Sequence, residues 1–217
     1  MTLGAADPDP DSALSRAGTL ASMQAAARQC RRCVDAGHLP HARPVFAGDV
    51  GCAVMLIGQA PGARSEATGR PFAGPSGRVL AAWLDQAGFA PGYFPDRVYC
   101  TSLTRCFPGP NPSGSGDRPP GPDERALCRE WLDAELAIVR PPVVLLVGRM
   151  AIEACYPVGR VGALSAVVGT SATGSGTLYL PLPHPSGASR WLNTPANRLL
   201  VDRALAELSA ARVRLGL

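Results

Sequence analysis

Hydrophobic positions along the chain form short continuous runs that alternate with longer stretches of helical spacing. The apolar runs, each bounded by turn-forming residues, predict buried strands at residues 53–58, 97–103, 143–147 and 178–182. Apolar residues spaced three and four apart predict helices at residues 13–33, 76–87, 123–139 and 149–155. A last helix follows Thr194 as N-cap and has Pro195 at its first position. Strands that alternate with helices predict an α/β fold, a single-domain three-layer α/β/α sandwich with a central parallel four-stranded sheet.

The segments outside this pattern suggest the domain organisation. Residues 1–12 are acidic and proline-rich and predict a disordered tail, whereas residues 13–217 predict one globular domain. Residues 108–122 are rich in Pro, Gly and Ser and predict a solvated loop. No apolar stretch approaches the length of a membrane helix, and the N-terminus lacks the apolar core of a signal peptide. We therefore expect a cytoplasmic protein without membrane contact.

The basic residues exclude two kinds of chemistry. The net charge of +4 is compatible with nucleic-acid binding without being specific for it. All 21 basic residues are arginine, because the chain contains no lysine. The sequence thus excludes a Schiff base on a side-chain amine and a phosphate-binding loop of the lysine type.

The strand at residues 53–58 runs into a loop with five glycines and three prolines between residues 58 and 77. A strand, a glycine-rich loop and a helix start form a concave site, where backbone N–H groups can face an anion or a planar base. In a parallel sheet such a site lies at the carboxyl ends of the strands. The segment His184-Pro185-Ser186 follows another strand and belongs to the same end of the sheet.

The seven cysteines divide into two groups. One group has metal-type spacing, with Cys30-x-x-Cys33 early in the chain and two further cysteines, Cys106 and Cys128, flanking the predicted loop. In a cytoplasmic protein these are interpreted as ligands or buried thiols more readily than as disulfides. The second group lies in or beside apolar segments and is interpreted as core: Cys52, Cys100 and Cys155.

The loop Gly58-Gln59-Ala60-Pro61-Gly62, the segment Gly69-Arg70-Pro71-Phe72 and the His184 segment resemble, in that order, the motifs of the uracil-DNA glycosylase superfamily. The four spaced cysteines make the chain most similar to the iron–sulfur branch, family four. The resemblance implies a uracil-DNA glycosylase-like fold. It also implies a monomeric, monofunctional enzyme that flips uracil out of single- or double-stranded DNA and hydrolyses its glycosidic bond in base-excision repair.

The resemblance also implies roles for individual residues. His184 would stabilise the leaving uracil anion and Phe72 would stack on the flipped base, while the backbone around Gly58 and Ala60 would hold the base. In the family the first loop has Glu where this chain has Gln59, so Gln59 or Glu66 is expected to position the attacking water. Ser102 stands where the family usually has an Asn that reads the uracil edge.

Contacts to DNA are expected on both sides of the base pocket. N–H groups of Gly74, Ser76 and Gly77 would bind a phosphate at a helix start. Ser186 and the loop beyond it, which contains Arg190 and Trp191, would contact DNA. That loop would bind phosphates and fill the gap left by the flipped nucleotide.

By the same resemblance, Cys30, Cys33, Cys106 and Cys128 would hold a [4Fe–4S] cluster, with a four-cysteine zinc site as the alternative. Ser102 and Gln59 keep open a glycosylase of the same fold for hypoxanthine or xanthine. A catalytically weak iron–sulfur protein that binds damaged DNA also stays open. An unrelated nucleotide-binding α/β protein is disfavoured, because the first strand is not followed by G-x-G-x-x-G.

Overall fold

The computed structural model describes residues 12–114, 116–186 and 190–217. The predicted disordered tail lies outside the described residues, except for Ser12, and so does part of the loop after Ser186. Within the described ranges the chain forms a five-stranded sheet in the order β2-β1-β3-β5-β4. The strands are β1 Val54–Gly58, β2 Val98–Ser102, β3 Val143–Val147, β4 Ala172–Gly174 and β5 Thr177–Leu182.

Four of the strands are the predicted ones, and they pair in parallel. Every residue of β1, β2 and β3 is buried, because a parallel sheet covered on both faces takes apolar side chains at each position. The additional strand, β4, pairs antiparallel with β5 at the sheet edge. Its three residues, Ala-Thr-Gly, carry no run of apolar residues, so the pattern gave no sign of it.

Helices cover both faces of the sheet and produce the predicted three layers. On one face, α4 Pro75–Gln86 and α8 Pro195–Leu215 pack their apolar residues against the sheet. On the other face, α1 Ala13–Arg28, α5 Pro122–Val139 and α6 Arg149–Cys155 do the same. The α/β/α sandwich is therefore confirmed, with one more strand than expected. No helix among the described residues has the length and apolar character that crossing a membrane requires.

Local differences from the predicted elements lie near the loops. The single helix expected over residues 13–33 ends at Arg28, and a short helix, α2 Arg32–Asp35, follows it. The glycine-rich loop contains one helical segment, α3 Ala63–Thr68, and a further short helix, α7 Leu164–Val167, precedes β4. Both are under two turns long, which is too short for a helical period to be recognised.

Strand β5 continues past the end of its edge neighbour. β4 pairs with Thr177 to Tyr179, whereas β5 pairs with β3 as far as Leu182. The N–H of Leu178 donates to the carbonyl of Pro142, next to β3, over 2.9 Å, so N–H groups at alternate positions point towards β3. Pro181 falls in the other set, on the side of β4, and has no N–H.

The predicted solvated loop of residues 108–122 is exposed at many of its described positions, and hydrogen bonds tie its segment of residues 108–121 together. Its two ends are joined by backbone hydrogen bonds from Asn111 to Gly116 (2.8 Å) and from Arg118 to Gly109 (3.0 Å). The guanidinium of Arg118 then donates to both carboxylate oxygens of Glu124, over 2.7 and 2.8 Å, at the start of α5. These bonds fold the segment back towards the carboxyl ends of β1 and β2.

Candidate active site

A cleft of about 540 Å³ lies at the carboxyl ends of β1, β2 and β5. This volume falls in the range of small-molecule sites, roughly 300–1,000 Å³. The cleft brings together residues from all three loops that the sequence singled out. The predicted site residues that line it are Gln59, Ala60, Phe72, Gly74, Ser76, Ser102, His184 and Ser186.

The imidazole of His184 is oriented by the residue two positions further on. The backbone N–H of Ser186 donates to Nδ1 of His184 over 3.2 Å, and the Ser186 hydroxyl lies 2.9 Å from the same atom. Because Nδ1 accepts the backbone N–H, the proton of the neutral ring lies on Nε2. Burial lowers the pKa of His184 below its usual value, which keeps the ring neutral. The cleft therefore has a neutral N–H donor.

A glycine at the end of β3 makes room for this ring. Gly148 has φ +89°, and a Cβ there would lie 3.3 Å from Cδ2 of His184. Its N–H donates to the carbonyl of Leu182 over 2.9 Å, which joins the ends of β3 and β5. Any side chain at this position would therefore strain the backbone and press on the imidazole.

Phe72 also lines the cleft, and two glycines make room for it. Its backbone has φ +51°, which is unusual for a residue other than glycine. A Cβ on Gly77 would lie 1.9 Å from the Phe72 carbonyl oxygen, and a Cβ on Gly58 would lie 3.1 Å from Cζ of its ring. The hydroxyl of Ser102 lies 3.4 Å from that same Gly58 position. Any side chain at position 58 or 77 would therefore displace Phe72 from its place near Ser102.

Glu66, the carboxylate expected to position water, does not line the cleft, and a different carboxylate does. Glu66, in α3, has its Oε1 3.0 Å from Nε2 of His41 and is not among the described residues that line the cleft. The carboxylate that does line the cleft belongs to Asp117, on the segment of residues 108–121. No local pattern marked Asp117, because its position depends on how that segment folds back.

The expected DNA contacts differ in how close they lie to the cleft. Gly74 and Ser76 line it at the start of α4, whereas the N–H of Gly77 already donates to the Gly74 carbonyl over 3.1 Å. Arg190 and Trp191 begin a 3₁₀ helix, Arg190–Asn193, outside the cleft lining. Trp191 packs against the core between the sheet and α8.

The four spaced cysteines line one separate pocket. Cys30 and Cys33 lie at the junction of α1 and α2, Cys106 lies after β2, and Cys128 lies in α5. Burial raises the pKa of Cys33 to about 11 and that of Cys106 to about 12, so the free thiols are protonated at neutral pH. A bound cation would reverse this preference, since a coordinating thiol is deprotonated. Cys52 and Cys100 lie in the core, and Cys155 ends α6.

Two polar groups around this pocket could donate hydrogen bonds to a sulfur-rich ligand. The Thr104 hydroxyl and the Trp131 indole N–H are buried without a partner among the described residues, and both residues line the pocket. Each is a donor that a sulfide or thiolate could satisfy. In the described part of the chain, however, no three or more His, Cys, Asp or Glu side chains already stand in a metal-holding arrangement. The four cysteines and the two unpaired donors nevertheless line the same pocket, and their chemistry suits a metal centre that contains sulfur.

A buried network joins the cysteine pocket to the cleft. The main-chain N–H of Arg105 donates to Sγ of Cys128 over 3.3 Å, and its guanidinium donates to the carbonyl of Ser102 over 2.7 Å. The same guanidinium is ion-paired with Glu135 of α5, whose carboxylate also accepts from the Thr101 hydroxyl over 2.8 Å. The end of β2 is thus fixed by groups from α5.

Comparison with known proteins identifies the family of the chain. A family model described as "Uracil DNA glycosylase superfamily" matches residues 46–209. The chain is 28% identical to the Type-4 uracil-DNA glycosylase of Thermotoga maritima over 156 residues, 71% of this chain and 76% of that protein. It is 32% identical to the Type-5 uracil-DNA glycosylase of Pyrobaculum aerophilum over 177 residues, 74% of this chain and 71% of that one. A shorter match, to the Type-4 uracil-DNA glycosylase of Sulfurisphaera tokodaii, is 32% identical over 44% of this chain and 40% of the relative. The chain therefore belongs to the uracil DNA glycosylase superfamily.

Proposed function

We propose that the chain is a monofunctional DNA glycosylase that flips uracil out of DNA and hydrolyses its N-glycosidic bond, as the first step of base-excision repair. The orientation of His184 carries this proposal. Ser186 occupies Nδ1, so the Nε2–H is left for a ligand in the cleft. Such a preoriented donor stabilises the negative charge that develops on the base as its bond to the sugar breaks. The names of the Type-4 and Type-5 relatives support the same activity.

The flipped base would lie between Phe72 and the ends of the strands. Stacking on an aromatic ring contributes about 1–3 kcal/mol per base and suits any base. Recognition of one base over another therefore rests on the polar groups of the lining, among them Ser102 and the amide of Gln59. In both single-stranded and double-stranded DNA, a phosphate of the flipped nucleotide would face the start of α4, at Gly74 and Ser76. We expect the protein to act as a monomer.

The four cysteines of the second pocket would hold a [4Fe–4S] cluster. Bound there, the cluster would supply a thiolate-ligated centre that cross-links the α1–α2 junction, the end of β2 and α5. Thr104 and Trp131 would donate hydrogen bonds to its sulfur atoms. None of the proposed steps at the glycosidic bond passes through this centre.

Release of the base by the purified protein tests the proposal directly. Single-stranded and duplex oligonucleotides with one uracil, hypoxanthine or xanthine are incubated with the protein, and abasic sites are then cleaved with alkali. We expect cleavage at uracil, and much slower cleavage with the His184→Ala variant. Tight binding of uracil-containing DNA without base release would contradict the enzyme and support a lesion-binding protein instead.

Ser102 favours one second candidate, a glycosylase for hypoxanthine or xanthine. The Ser102 hydroxyl offers one donor and acceptor, whereas the Asn that the family usually has at this position presents a two-pronged amide. A wild-type preference for hypoxanthine or xanthine in the same assay would support this candidate. The Ser102→Asn variant should then gain discrimination for uracil over hypoxanthine. An unchanged preference in that variant would assign base reading to another group.

A further inference from the structure

Among the described residues that line the cleft, one has an acidic side chain, Asp117, and it lies outside the first loop. The titratable lining residues of the cleft, among those described, are Arg64, Asp117, Arg118 and His184. Gln59 is an amide and cannot accept a proton, and Glu66 is turned towards His41. Asp117 is thus the carboxylate that the described lining offers to a nucleophilic water.

We propose that Asp117 is a catalytic residue of the glycosylase, the base that activates the attacking water. This inference rests on the proposed function and adds a residue to it. A Cβ on Gly62 would lie 2.9 Å from Oδ2 of Asp117, so the carboxylate reaches the first loop three residues from Gln59. His184 and Phe72 line the same cleft. A water bound between Gln59 and Asp117 would therefore be inside the cleft that holds the base.

The position of Asp117 is fixed by the bonds on either side of it. An isolated β-bridge pairs Asp117 with Pro110, and the next residue, Arg118, donates its N–H to Gly109 over 3.0 Å. The Arg118 guanidinium binds both oxygens of Glu124, which itself accepts from the N–H of Gly121 over 2.7 Å. Arg118 thus anchors the segment of residues 108–121 to α5, and its charge is matched by Glu124. These bonds hold the backbone at Asp117, and its exposed side chain lies against Gly62 of the first loop, where a general base could accept a proton from a water in the cleft.

The reaction balances with the groups in the cleft. The water oxygen forms a bond to C1′ of the sugar while the bond from C1′ to the base nitrogen breaks and its electron pair leaves with the base. Asp117 accepts the proton that the water loses, and the Nε2–H of His184 donates to the developing base anion. The proton on Asp117 then passes to the released base or to solvent. The products are an abasic sugar and the free base.

Single-turnover kinetics at neutral pH test this role. In Asp117→Asn the rate should drop by ~10²-fold or more, because an amide cannot accept the proton of the attacking water. Affinity for uracil-containing DNA should stay within about twofold, or tighten, since a negative charge beside the phosphates is removed. Asp123→Asn is the matched control, an exposed carboxylate of the same region that does not line the cleft.

A second variant separates catalysis from simple disturbance of the segment. Gln59→Glu introduced into Asp117→Asn returns a carboxylate to the facing loop and should restore part of the rate. An Asp117→Asn rate within about twofold of an active wild type would overturn this inference alone. A wild-type protein that releases none of the three bases would overturn the proposed function and this inference together.

Discussion

The main-chain N–H of Arg105 lies 3.3 Å from Sγ of Cys128 and donates to it. Because the guanidinium of the same residue holds the carbonyl of Ser102, one residue contacts both the cysteine pocket and the end of the strand that lines the cleft. The ion pair with Glu135 is fully buried, and removing one partner of such a pair would leave an uncompensated charge. The geometry of the second loop therefore depends on correct packing around Cys128.

The four pocket cysteines should carry a coloured centre. Protein purified without oxygen should be brown, with broad absorbance near ~400 nm. Substitution of Cys30, Cys33, Cys106 or Cys128 by Ala should bleach it and lower the soluble yield, because loss of a ligand removes folding free energy. Cys52→Ala, Cys100→Ala and Cys155→Ala serve as controls and should keep the colour. Colourless protein with one bound zinc per chain would show that the zinc alternative is correct.

Removal of the His184 imidazole should affect the chemical step far more than DNA binding. The Nε2–H bond strengthens as the base becomes an anion, so His184→Ala should lower the single-turnover rate by roughly 10²–10³-fold. Affinity for uracil-containing DNA, measured by titration, should change little. His41→Ala, which removes an exposed histidine outside the cleft lining, is the control. A His184→Ala rate within about twofold of wild type would rule out this role.

The buried imidazole should also make stability depend on pH. Burial lowers the pKa of His184 from its ordinary value of 6.5, so the folded chain takes up this proton at a lower pH than the unfolded chain does. The neutral His184 side chain therefore contributes fully to the free energy of unfolding above pH 6.5. This contribution is lost as the pH falls towards the pKa of His184 in the folded protein. Urea denaturation at about pH 7.5 and about pH 5 should show a smaller acid loss in His184→Gln than in the wild type. An equal loss in both proteins would assign the acid sensitivity to other groups.

Gly148→Ala should displace the imidazole of His184. The new Cβ would meet Cδ2 of His184 at 3.3 Å, in a backbone conformation with φ +89°. We expect the single-turnover rate to fall, since a small displacement of a catalytic group can cost up to about 10²-fold. Gly92→Ala provides the control, because Gly92 has φ +81° but nothing within 4 Å of its Cβ position. Both variants carry backbone strain, and only Gly148→Ala should slow the reaction beyond its effect on stability.

The absence of lysine predicts products without strand breaks. Glycosylases that also cleave the strand attack the sugar with an amine and form a Schiff base. This chain has no lysine, and its α-amino group belongs to Met1, outside the described residues. Borohydride added during the reaction should therefore trap no protein–DNA adduct, and abasic strands should stay intact until alkali is added. A borohydride-dependent adduct would contradict the monofunctional mechanism, whereas an adduct without borohydride would indicate capture of the sugar by His184 or a carboxylate.

The central strands and the loops at their carboxyl ends could be predicted because their signals are local. Continuous apolar runs identified β1 and β3, and His184 was found because it follows a predicted strand. Phe72 was found through the resemblance of its motif to the family. The position of Asp117 could not be predicted in this way. It depends on the Arg118–Glu124 ion pair and on how α5 packs, which are properties of the folded chain.

Similar reasons apply to Glu66 and to the helix expected over residues 13–33. Glu66 lies in a six-residue helix, and its partner His41 is 25 positions earlier in the chain. The break after Arg28 contains neither Gly nor Pro, so propensity alone favours a continuous helix there. In the folded protein this break brings Cys30 and Cys33 to the cysteine pocket.

Pro181 allows β4 to stop pairing with β5 at a point where β5 is about to become buried. Strand β5 is still buried at this position, although β4 has already stopped opposite Tyr179. Any other residue at position 181 would direct a main-chain N–H towards the edge of β5 where β4 no longer pairs with it. A buried donor without an acceptor lowers the free energy of unfolding by about 1–3 kcal/mol. Proline has no such hydrogen, so β5 can continue to Leu182 without an unpaired donor at this position. Pro181 therefore lets His184, the proposed catalytic histidine, follow a strand whose carboxyl end is buried.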